Sequence, residues 1–341
     1  MSVAAAILGC AGPTLSPEER RFFRRVKPWG FILFGRNVQT PDQVRSLVDA
    51  LRETVGRADA PVLIDQEGGR VQRLGPPHWR RYPPGRAYGE LPANDLLQRR
   101  GIARLGGRLI AHDLAALGIN VDCAPVLDVP DPAGHEVIGD RAYGRTADEV
   151  ALLSRATAEG LIAGGVLPVI KHIPGHGRAR SDSHLELPVV DAGFDELDGR
   201  DFAPFRVLSD MPMVMTAHVI YSAIDAKRPA TTSNKVMRKV VRGAIGFDGL
   251  VMSDDLSMRA LSGDFAERAK AARAAGCDVV LHCNGGMAEM QAVVAGAGTL
   301  KGRAQARAAA ALGRLAKAPE PFDAAEGRAR FDAAFEGRYA A

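Results

Sequence analysis

With 341 residues, 46% of them hydrophobic and 25% charged, the chain can bury one large core or two ordinary ones, and it has the composition of a folded protein. Its 44 basic residues nearly balance 40 acidic ones, and pairs such as Arg20-Arg21, Arg80-Arg81 and Arg99-Arg100 are scattered without interleaved aromatics, which excludes a nucleic-acid-binding stripe. No apolar stretch approaches the roughly 20 residues needed to span a bilayer. Apolar runs with strand character recur, each followed by a segment of 3.6-residue period. The first is Ala4–Leu8 and the second Gly30–Phe34, which ends in Gly35-Arg36-Asn37. A helix is predicted over Pro41–Val55, capped by Thr40. Pro61–Ile64 is the third run, ending in Asp65-Gln66-Glu67-Gly68-Gly69-Arg70, and a proline-broken segment from Gly75 to Gly89 follows.

A long helix is predicted from about Asp95 to Leu117, then a fourth run at Ile119–Ala124, a loop from Pro125 to Gly144 and a helix over Ala147–Gly164. The fifth run, Leu167–Ile170, turns abruptly polar at Lys171-His172 and passes into a loop with Gly175, Gly177 and Asp182-Ser183-His184. A helix near Asp195–Leu208 precedes strand Met213–Ala217, and a helix near Asn234–Ala244 precedes strand Leu250–Ser253, which ends in Asp254-Asp255. A helix near Phe265–Ala275 leads to the last run, Asp278–His282, with helices to about Ala316. The tail from Pro319, rich in alanine and charge, is expected to pack loosely. About eight strands alternating with helices, with no linker, give a single α/β (β/α)8 TIM-type barrel spanning residues 1–341. A doubly wound sheet is the alternative, and no G-x-G-x-x-G follows any strand to support it.

Four cysteines, Cys10, Cys123, Cys277 and Cys283, lack Cys-x-x-Cys spacing and sit in or beside apolar segments, as buried free thiols do in a reducing cytoplasm. The opening MSVAAAILGCAG has the outline of a lipoprotein signal, but no Lys or Arg precedes its short apolar run, so it reads as the first strand of a soluble protein.

Polar residues gather where the strands end: Arg36-Asn37, Asp65, Asp122, Lys171-His172, His218 and Asp254-Asp255. In a barrel these ends form one mouth, where chemistry is carried. As neighbours on a strand, Asp254 and Asp255 should face opposite ways, leaving one ionised carboxylate in the site while the other caps a helix or meets an arginine. Asp182 and His184, at i and i+2 in a loop, suit a carboxylate that orients an imidazole and leaves its second nitrogen free for proton transfer. No G-x-S-x-G elbow is present, so the nucleophile is expected to be a carboxylate. A metal held by His172, His176, His184 and Asp182 is the competing reading, and Pro174, Gly175 and Gly177 disfavour the helix that the i, i+4 histidines would need.

Together, KHIPGHG followed by DSH, IDQEGGRVQRL (Ile64–Leu74), IGDRAYG (Ile138–Gly144) and VMSDDLSM (Val251–Met258) resemble the family 3 glycoside hydrolases, and more narrowly their single-domain bacterial β-N-acetylglucosaminidases of peptidoglycan recycling. The matching segments run from about Gly30 to Asn284, in the family's order. The resemblance implies a TIM-barrel retaining glycosidase with Asp254 as nucleophile and His184 with Asp182 as acid/base pair. It also implies Asp65, Arg73, Arg141, Lys171 and His172 as sugar-binding groups. Ile173, where relatives more often carry Phe, is the one departure. The expected protein is a cytoplasmic, monomeric exo-β-N-acetylglucosaminidase acting on muropeptide fragments, with no cofactor, metal, membrane or nucleic-acid partner. A phosphorylase on the same scaffold, a non-catalytic sugar-binding barrel and a metal-dependent hydrolase are the alternatives.

Overall fold

The structure, a computed structural model, describes residues 2–92 and 96–339. Eight parallel strands close into a barrel in chain order: β1 (Ala4–Leu8), β2 (Pro28–Leu33), β3 (Val62–Ile64), β4 (Val121–Asp122), β5 (Leu167–Ile173), β6 (Met213–Thr216), β7 (Leu250–Asp255) and β8 (Val279–His282), with β8 pairing back onto β1. Each β-to-β connection crosses through a helix on the outside, as parallel pairing requires. The strands are apolar over most of their length because both faces are covered, and several turn polar at their carboxyl ends.

Alternation along the strands sorts the core into two layers. Ile7, Ile32, Leu63, Val121, Val169, Met213, Met252 and Leu281 fill the barrel interior. Their neighbours Leu8, Phe31, Leu33, Ile64, Ile170, Val214, Val251 and Val280 face the helices. Past the apolar parts of β3, β5 and β7, Asp65, Lys171 and Asp254 stand two residues after the inward-facing Leu63, Val169 and Met252, with register shifts in β5 after Lys171 and in β7 between Met252 and Asp255.

Helix starts follow local chemistry. Thr40 accepts from the Gln43 N–H ahead of Pro41–Val55, and Ser16, Thr146 and Asp264 each close a capping box with a glutamate at the third helical position. Pro41–Val55 and Phe265–Ala275 match the predicted bounds, and Ala147–Ala163 stops one residue short of them. The long helix runs Leu96–Ala115, and its expected start at Asp95 lies outside the described residues.

Three expectations are corrected. The helix expected near Asp195–Leu208 is two short ones, Phe194–Gly199 and Ala203–Val207, because Pro204 suits a helix start and not an interior. The helix expected near Asn234–Ala244 is one α-turn, Asn234–Val236, followed by a π-helix at Met237–Ala244. The tail is packed: Ala324–Ala334 is a helix that buries Phe331 and, just beyond its end, Phe335. These two phenylalanines, four apart, share one face and meet Tyr82 and Tyr88, while Arg80 pairs with Asp332. Two large side chains among alanines and charges are too sparse to register as an apolar stripe, yet they anchor the segment that follows β3. Phe335→Ala should therefore lower stability by about 3–5 kcal/mol in urea melts, where a loosely attached tail would give less than about 1 kcal/mol.

Candidate active site

At the carboxyl-terminal mouth of the barrel lies a cavity of about 390 Å³ lined by Asp65, Arg73, Arg141, Lys171, His172, Asp182, His184 and Asp254. The eight residues expected to react or to bind sugar therefore meet in one place, contributed by strand ends β3, β5 and β7 and by three loops, whereas Asn37, Asp122 and His218, also gathered at strand ends, do not line the cavity. This is where (β/α)8 enzymes place their chemistry.

One wall is a buried charge network. The Lys171 ammonium lies 2.9 Å from Asp65 Oδ1 and 2.6 Å from Glu67 Oε1. Glu67 also accepts both arms of the Arg141 guanidinium at 2.8 Å, a fork-on-fork geometry. Arg73 donates to Asp65 at 3.1 Å and lies over the Phe34 ring at 5.0 Å. Burial on its own would raise both carboxyls, but Lys171 and Arg73 hold Asp65 below its ordinary value, and Arg141 and Lys171 hold Glu67 well below. Lys171 and Arg141 are correspondingly held charged. The wall thus presents fixed charges to a polar ligand.

The opposite side centres on Asp254, on the inward row of β7. Burial opposes its ionisation, but the His218 and His172 imidazoles, the Asp255 N–H at 2.8 Å and Lys171 carry the net direction downward. Asp255 also borders the cavity, after a register shift in β7 between Met252 and Asp255, so the two neighbours are not simply turned to opposite faces. It neither caps a helix nor meets an arginine. Its carboxylate accepts the N–H groups of Ser257 and Cys283, each at 3.1 Å, and the Ser257 hydroxyl.

The loop pair is formed: Asp182 Oδ1 sits 2.7 Å from His184 Nδ1 and accepts the His184 backbone N–H at 2.9 Å. Burial would raise the Asp182 carboxyl, and those two contacts pull it lower. The His184 ring stands at the cavity rim with 62% of its side chain exposed, so Nε2 is open to a ligand. A side chain at Gly177 would meet the Val129 carbonyl at 1.9 Å, so this glycine serves close backbone approach.

Sequence reasoning assigned no role to Glu67 or Asp128. Asp128 is fully buried, binds His172 Nδ1 at 2.7 Å and accepts the His176 backbone N–H at 2.6 Å. Its signal was an acid between Leu127 and Val129 in a proline-bracketed loop; that of Glu67 was its place two residues after Asp65. With His172 held by Asp128, His176 by Ser183 and His184 by Asp182, the three histidines are separately engaged. Among the described residues no group of three His, Cys, Asp or Glu side chains is arranged to hold a metal ion.

Residues 16–318 match the glycosyl hydrolase family 3 N-terminal domain, and the chain belongs to that family. It is therefore a glycoside hydrolase. A β-hexosaminidase of Methylococcus capsulatus is 44% identical over 277 residues, covering 80% of each chain. The crystal structure of native NagZ from Neisseria gonorrhoeae superposes with a TM-score of 0.83 at 32% identity, covering 99% of this chain and 97% of that one. A family 3 β-N-acetylglucosaminidase from a Paenibacillus species gives 0.86 at 31% identity over 98% of this chain and 67% of its own.

Two outcomes follow from the electrostatics. Glu67→Ala removes the carboxylate partner of the buried Arg141 and one of the two carboxylates on Lys171, and should cost about 3–5 kcal/mol in urea unfolding; a loss below about 1 kcal/mol would mean that the network is not closed in solution. Burial holds His176 neutral, from an ordinary 6.5 down to about 4. The unfolded chain therefore binds a proton that the folded one refuses, and stability falls as pH drops through this window, by on the order of 3 kcal/mol. His176→Asn should flatten that slope in melts run from pH 7 to pH 4.

Proposed function

We infer that this glycoside hydrolase is an exo-acting β-N-acetylglucosaminidase that removes terminal, non-reducing β-linked N-acetylglucosamine. The observation that carries the reading is a mouth in which an ionised, inward-facing Asp254 shares one cavity with the oriented His184–Asp182 pair and a fixed-charge wall. Sequence relatives named β-hexosaminidases and structural relatives named β-N-acetylglucosaminidases support the same activity. The gonococcal protein has been solved with N-trifluoroacetyl-D-glucosamine, a ligand of the chemistry proposed here.

In the proposed reaction an Asp254 carboxylate oxygen attacks the anomeric carbon as His184 Nε2 gives its proton to the departing glycosidic oxygen. The glycosidic bond breaks and a glycosyl ester with Asp254 forms. His184, now neutral, then takes a proton from water, whose oxygen attacks the same carbon and returns Asp254 as the carboxylate. Asp182 orients the ring through Nδ1 and stabilises its charged form. Two displacements at one carbon retain the anomeric configuration. Asp65, Arg73, Arg141, Lys171 and His172 bind the sugar's hydroxyls and N-acetyl group, positioning the ring over Asp254.

The natural substrate we propose is a muropeptide fragment of peptidoglycan, processed in the cytoplasm during wall recycling by one monomeric catalytic unit that uses no cofactor. The four buried free thiols are consistent with a reducing compartment, and no described helix is long and apolar enough to cross a membrane. An imidazole in the acid/base role also favours an anionic acceptor over what a carboxylate would allow, which keeps phosphorolysis as a second reading.

Release of aglycone from an aryl β-N-acetylglucosaminide tests these readings. Asp254→Ala should lower kcat by about three to six orders of magnitude, corresponding to roughly 4–8 kcal/mol. Near wild-type turnover in that variant would remove Asp254 as nucleophile, and faster turnover with glycosyl phosphate formed in phosphate buffer would identify a phosphorylase.

A further inference from the structure

Behind β7, between the barrel and the helix Met287–Ala297, lies a second cluster that the reaction above does not use. His282, the last residue of β8, is fully buried, two residues after the helix-facing Val280. Its Nδ1 is 4.0 Å from Asp255 Oδ1, and its Nε2 is 3.2 Å from Glu289 Oε2 on that helix. The Phe265 ring packs edge-on against the imidazole at 5.2 Å. Arg36, from the turn after β2, is the remaining charged group facing it, and donates to the carbonyls of Cys10 and Cys283. Neither ring nitrogen of His282, nor Glu289 Oε2, makes a well-aligned hydrogen bond. A buried imidazole between two carboxylates without well-aligned hydrogen bonds is costly, which points to a role beyond packing.

That role can be read from what Asp255 holds. Its N–H donates to Asp254 Oδ1 at 2.8 Å. Its carbonyl accepts from His218 Nε2 at 3.0 Å. Its carboxylate ties the end of β7 to the Cys283 N–H at the end of β8. By binding the N–H groups of Ser257 and Cys283, the Asp255 carboxylate holds the backbone at the end of β7, and with it the peptide N–H aimed at Asp254. His282 closes the outward side of that carboxylate, and Glu289 closes the far side of His282.

We propose that His282 and Glu289 are positioning residues for the reaction, fixing Asp255 and, through its peptide N–H, the attack geometry of the Asp254 carboxylate. The proposal rests on the reading of Asp254 as nucleophile. Neither residue touches the sugar, so disturbing them should alter kcat and spare KM, because misplacement of a reacting atom is felt in the transition state more than in ground-state binding.

The experiment is a double-mutant cycle of Glu289→Ala and His282→Gln, assayed on an aryl β-N-acetylglucosaminide at a temperature where circular dichroism shows each protein folded. Each single variant should lower kcat per folded molecule at least tenfold with KM within twofold of wild type. The double variant should be no slower than the worse single one, since both act along one path. Glu289 is half-exposed, so its variant carries the test if His282→Gln fails to fold. Wild-type kcat and KM in Glu289→Ala, whatever its melting temperature, would overturn the proposal. An Asp254→Ala protein as active as wild type would instead remove the nucleophile assignment on which the proposal stands.

Discussion

Everything at the mouth depends on keeping several like and unlike charges together out of water. Asp65, Glu67, Lys171 and Arg141 are each nearly or wholly withdrawn from solvent, and a lone charge so placed would neutralise or unfold the site. They remain ionised because the two cations are shared between the two carboxylates, with Glu67 accepting from both. The network joins the ends of β3 and β5 to the loop that carries Arg141, so the wall facing the substrate is rigid before any substrate arrives. Preorganised charge of this kind does not have to reorganise during the reaction, which is why it is effective in catalysis.

The histidines divide the remaining work by environment. His172 and His218 are buried around Asp254, one against Asp128 and the other donating to the Asp255 carbonyl. His176 ties the loop to Ser183 from beneath. Only His184 of the four stands open to solvent, with its orientation set by Asp182. One residue type thus supplies a structural tie, electrostatic neighbours for a carboxylate and an exposed, oriented imidazole, and burial and partner decide which.

The periphery supports this centre at a distance. The helix Ala324–Ala334 presses Phe331 and Phe335 onto Tyr82 and Tyr88, in the long excursion between β3 and β4 whose first residues include Glu67 and Arg73. The close approaches at Gly177, against Val129, and Gly85, against the Arg141 carbonyl, draw other loops of the mouth together. Loop positions in this barrel are set by contacts between loops as much as by the strands beneath them.

The sequence by itself determined the barrel and most of its mouth. Apolar runs alternating with helical periods are local patterns, and an apolar strand that turns polar at Asp65, Lys171 or Asp254 announces a strand end on the open face. The resemblance carried by DSH, SDD and IDQEGG then pointed to a glycosidase and to the roles expected of His184, Asp182 and Asp254. What only the tertiary structure decided is which charges meet. Glu67 and Asp128 become partners of Lys171, Arg141 and His172 through contacts between segments 44 to 104 positions apart, which no local window contains. The same holds for the packed tail and for the approach of His282 to Asp255, whereas the break at Pro204 follows a local proline signal. Periodicity records which face a residue turns to the core, whereas the identity of its neighbour there is fixed only when the barrel closes.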